Sequence, residues 1–82
     1  MLLQEFDTII DRMQLALDIA KNLGQSIEEA KILYQMNEVL PENLQMELDD
    51  VYDENMAKQT VSLYKNQIKS KISEYREELM LN

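Results

Sequence analysis

The sequence predicts an all-α protein: a small bundle of three helices, the third long, completed by association with further copies. Two observations carry this. The 82 residues contain one glycine and one proline, which leaves few places for turns. The apolar residues recur every three or four positions rather than alternately, so no strand is expected.

The first helix is expected over about residues 2–23. Leu3, Phe6, Ile10, Met13, Leu17 and Ala20 form its apolar stripe, widened by Ile9, Ala16 and Leu23. Leu15 and Ile19, four apart on another side, form a narrower strip that needs a neighbour of its own. Gly24 suits the left-handed conformation that closes a helix. Ser26 and Glu29 then have the spacing of a capping box, in which each side chain satisfies a free N–H at the next helix start.

That second helix is expected from Ile27 to about Val39, with Ala30, Leu33, Met36 and Leu40 on one face and Tyr34 beside them. Pro41 ends it, yet fits the first turn of another helix, where Glu42 is favourably placed. From Pro41 to about Met80 neither glycine nor proline interrupts the chain. Leu44, Leu48, Val51, Ala57, Val61, Tyr64, Ile68, Ile72, Tyr75 and Leu79 keep helical spacing there. A continuous helix of that span is about 60 Å long, more than two shorter helices cover. The alternatives are a break near residues 53–55 or a second subunit over the remainder. Asp and Asn weaken a helix by only a few tenths of a kcal/mol, which favours the continuous form.

One domain is all that this length holds, with a core burying roughly 60% of the unfolded surface. With no cysteine and no histidine, disulfides, thiolate and zinc sites, and the Ser/His/Asp and Cys/His catalytic arrangements are excluded. One glycine excludes a Gly-rich phosphate loop. No apolar run approaches the roughly 18 residues of a membrane span, and the start carries no basic leader. A cytoplasmic protein without a cofactor is expected, and the Asn-, Lys- and Ile-rich composition suggests a bacterial or phage genome.

The net charge of −8 argues against nucleic acid and for basic partners. It is concentrated: residues 1–31 carry −3, residues 32–57 carry −7 with no base at all, and residues 58–82 carry +2. The densest stretch, ELDDVYDEN at 47–55, supplies the candidate partner-binding residues Glu47, Asp49, Asp50, Asp53 and Glu54. It is not a calcium loop: Val51 interrupts the ligand series, Glu54 stands where glycine must allow the turn, and Thr60 where a bidentate glutamate belongs. A magnesium enzyme of the all-α nucleotide pyrophosphohydrolase kind is an alternative, pairing Glu47 and Asp50 with Glu74 and Glu77. That family's Glu-x-x-Glu then Glu-x-x-Asp order is reversed here, and both pairs fall in the last segment.

If 47–54 is helical, its like charges repel a turn apart. Solvation alone, a basic partner surface, or a second copy offsets that cost. Two antiparallel last helices crossing near residue 56 would set the acids against Lys58, Lys65, Lys69 and Lys71. A different alternative uses Tyr64, Lys65, Lys69, Lys71 and Tyr75 to hold a small anionic ligand such as a nucleotide, although tyrosines on an apolar stripe ordinarily serve packing. Met46, between acids and off the main stripe, has no assigned place. The expected function is binding without catalysis, as a regulator or inhibitor acting on a basic protein surface, on itself, or both.

Overall fold

The computed structural model describes residues 1–81. Three α-helices pack against one another: α1 (Leu3–Asn22), α2 (Ser26–Val39) and α3 (Glu54–Leu81), with a single 3-10 turn at Glu42–Leu44 and no strand among the described residues. Among the described residues no helix is long and apolar enough to cross a membrane.

The predicted stripes meet in the middle. Phe6 and Leu17 of α1, Leu33 and Met36 of α2, and Ile68 of α3 are fully buried, and Leu40, Leu44 and Ile72 complete the core. Each such side chain contributes about 1.5–3 kcal/mol by leaving water. The α2 helix packs on both others. Near the start of α1 and the end of α3, the Phe6 and Tyr75 rings meet edge to face at 5.0 Å and 86°. Beside them Arg76 grips Asp7 twice, Nε to Oδ1 at 2.9 Å and Nη2 to Oδ2 at 3.2 Å. The start of α1 and the last turns of α3 therefore come together.

Gly24, at φ +69, ends α1 as its residue type predicts. Its N–H donates to the carbonyl of Lys21, and that of Gln25 to Ala20, the paired bonds that close a helix around a left-handed residue. The capping box does not form. Closing α1 in this way leaves Gln25 as the residue before α2, and Ser26 becomes the first helical residue with no side-chain cap bond. The Glu29 N–H is satisfied by the Gln25 carbonyl instead.

The largest departure follows Pro41. No α-helix begins there: the 3-10 turn gives way to an extended backbone at Gln45 (φ −66, ψ 141), residues 45–52 form neither helix nor strand, and α3 starts only at Glu54. The expectation of one helix from Pro41 to Met80 is corrected to a helix of 28 residues preceded by an extended acidic segment. Leu44, Met46 and Leu48 turn inward while Gln45, Glu47 and Asp49 are exposed, a period of two. Helical spacing explained Leu44, Leu48 and Val51 but left Met46 over. Extended spacing places it against the core. The like-charge repulsion a turn apart that a helix would impose on Glu47, Asp49 and Asp50 does not arise, because residues 47–52 are not helical.

The second strip of α1 stays largely exposed among the described residues. Leu15 is 63% and Ile19 51% exposed, and Leu23 and Ala16, expected to widen the buried stripe, lie outside it.

Candidate functional site

An extended segment without a sheet needs other partners for its backbone, and α2 supplies them. Asn37 is buried on the face that also carries Ala30 and Leu33. Its Nδ2 donates to the Met46 carbonyl at 2.8 Å, and its Oδ1 accepts the Met46 N–H at 2.9 Å. The carboxamide thus does what a neighbouring strand would do. Gln45 Nε2 donates back to the Leu40 carbonyl at 2.8 Å and the Glu38 carbonyl at 3.3 Å, satisfying acceptors at the end of α2. Neither Asn37 nor Gln45 was singled out in the sequence. The available signal was Asn37 itself, a polar amide on an apolar helix face, which is buried only with a partner.

The acidic candidates fall into two groups. Asp53 and Glu54 serve the start of α3: Asp53 Oδ1 accepts the Met56 N–H at 2.8 Å as an N-cap, and Glu54 lies in the first turn, 3.8 Å from Lys58. Glu47, Asp49 and Asp50 are exposed on the extended segment. Asp50 Oδ2 accepts the Tyr52 hydroxyl at 3.1 Å. The helix-on-helix charge pairing drawn for two copies loses its geometric premise, because the acidic half is not helical.

Beneath residues 50–52 the segment and α2 enclose an open cleft of about 360 Å³, lined by Ile27, Ala30, Lys31, Tyr34, Asp50, Val51 and Tyr52. Val51 is half-buried, whereas Tyr52 is 80% exposed. The Tyr34 hydroxyl oxygen is buried without a hydrogen-bond partner among the described residues. Burial raises its pKa above the ordinary 10.0, and the carboxylates of Asp50 and Asp49 add to the rise. Tyr52 is raised as well, chiefly by its hydrogen bond to Asp50 and then by that carboxylate's charge.

The alternative ligand residues divide by helix geometry. At about 100° per residue, Tyr64, Lys71 and Tyr75 share one side of α3, the core side, while Lys65 and Lys69 lie on a flank roughly 100–140° away. Tyr64 and Tyr75 pack against the core, Tyr75 on Phe6. Lys71 lies 4.0 Å from Glu74. Lys65 and Lys69 share their flank with Arg76, the one that meets α1 at Asp7. Glu47 and Asp50 are not on a helix, and among the described residues no three carboxylates gather in a way that would hold a metal ion.

Comparison of the chain with protein-family models, with curated proteins and with solved structures finds no match.

Proposed function

We propose that this protein acts by binding, without chemistry of its own, as a regulator or inhibitor that docks the segment at residues 47–54 on a basic protein surface. One observation carries the reading. The segment is held by the Asn37 clamp and the Asp53 cap, yet it turns Glu47, Asp49, Asp50 and an 80% exposed tyrosine to solvent. A fixed backbone reduces the ordering cost of association, and the uniform sign steers a basic partner.

The test is affinity capture with the wild-type protein and an Asp49→Asn, Asp50→Asn, Asp53→Asn variant at low and high salt. Asn retains the cap at position 53. The expected result is a captured basic protein that is lost both with the variant and with salt. A protein retained equally by the variant would sink the reading.

Self-association is a second reading, favoured by Leu15, Ile19 and Leu23. Their spacing of four is self-complementary: two antiparallel copies of α1 crossing at Ile19 set Leu15 against Leu23 of the other copy. Native mass over a range of concentrations tests it, and a strict monomer rejects it.

A further inference from the structure

We propose that the cleft between α2 and residues 50–52 receives an arginine side chain of the partner protein. The inference rests on the docking reading above and names the group that is recognised. At about 360 Å³ the cleft has room for one long side chain.

Its walls suit a long side chain with an apolar stem. Ile27, Ala30 and Val51 offer aliphatic surface to the methylenes, as long cationic side chains prefer. Tyr34 and Tyr52 supply two rings for a cation, and a planar guanidinium stacks on aromatic faces where an ammonium does not. The Asp50 carboxylate engages Tyr52 through Oδ2 and retains acceptor capacity on Oδ1. Lys31, the one cation in the lining, has its Nζ 3.3 Å from Glu28.

Arginine is favoured over lysine by its shape: a guanidinium carries five N–H donors in a fixed fork, so it can donate to Asp50 Oδ1 while its plane lies against a ring.

The test is an amide chemical-shift titration with three capped tripeptides, Gly-Arg-Gly, Gly-Lys-Gly and Gly-citrulline-Gly. Shifts are expected at Ile27, Ala30, Tyr34, Val51 and Tyr52, strongest with the arginine peptide and absent with citrulline. Tyr52→Ala and Asp50→Asn alter exposed side chains and leave the fold intact. Tyr52→Ala is expected to weaken arginine binding about three- to thirtyfold, the range of a cation–aromatic contact, and Asp50→Asn to weaken it by removing the carboxylate. Equal responses to arginine and lysine, spread over Glu47, Asp49 and the acids of α1, overturn the cleft proposal and leave the docking reading to its capture experiment. No shift at the cleft with any peptide overturns it too.

Discussion

The carboxamide of Asn37 and the backbone of Met46 are joined twice, at 2.8 and 2.9 Å, across nine residues of chain. Asn37 is 7% exposed, so truncation leaves both Met46 groups without their partner in a half-buried place. Asn37→Ala is expected to cost about 1–3 kcal/mol in chemical denaturation, and to release the Met46 amide to fast hydrogen exchange. Unchanged protection of that amide would show that the clamp is not what holds the segment.

That clamp also explains what was legible in the sequence. The stripes of α1, α2 and the second half of α3 were readable because Phe6, Leu17, Leu33, Met36 and Ile68 each serve one period, 3.6, and one core. The segment from Leu44 to Val51 was not. Leu44, Leu48 and Val51 satisfy helical spacing, but Leu44, Met46 and Leu48 satisfy a period of two, and the spacing alone does not choose. The unplaced Met46 and the lone amide of Asn37 together point to the extended form. The acidic residues were found by charge alone, while the cleft under them is built by residues from 27 to 52 and has no local signature. Ser26 and Glu29 matched a capping box, but the local backbone closure around Gly24 moved the helix start by one residue.

Asp53 marks where α3 begins. Its Oδ1 satisfies the Met56 N–H, and its carbonyl accepts the Ala57 N–H at 3.0 Å. Asp53→Ala is expected to cost about 1 kcal/mol, while Asp53→Asn preserves most of the stability. Loss of equal size in both variants would assign the effect to charge instead of to the cap.

The tyrosines set an alkaline limit. Tyr34 is raised above 10.0 by burial first, and Tyr52 by its bond to Asp50 first. A folded pKa above the unfolded one means that the folded state holds the proton more tightly. That contribution is complete below the unfolded value and is lost as pH rises through the raised one. Denaturation midpoints are therefore expected to fall above about pH 10. Phenolate absorbance should show Tyr34 and Tyr52 ionising late, and Tyr34→Phe should shrink the alkaline loss. Because that variant also removes a buried oxygen without a partner, it is expected not to destabilise the protein near neutral pH.

The pair Asp7–Arg76 ties the first helix to the last. It is bidentate, which favours it, but Arg76 is 55% exposed, so water screens it. A double-mutant cycle with Asp7→Asn and Arg76→Gln is expected to give a coupling of about 0.2–1 kcal/mol that declines with salt. Coupling that is indifferent to salt would point to the neighbouring Phe6–Tyr75 contact as its carrier.

Leu15 and Leu17 stand two residues apart on the same helix with opposite surroundings. Leu17 is wholly buried in the core, and Leu15 is 63% exposed. In dilute protein, Leu17→Ala is expected to cost about 2–5 kcal/mol, because it removes buried methyls and leaves a cavity. Leu15→Ala is expected to stay within about 0.5 kcal/mol, as substitutions on open surface do. The comparison gains a second use at high concentration. If copies meet through α1, the cost of Leu15→Ala grows with concentration while that of Leu17→Ala stays fixed, since only the former loses a contact supplied by mass action. A Leu15→Ala cost that is small and concentration-independent leaves the Leu15–Ile19–Leu23 strip facing water and rejects the α1 interface.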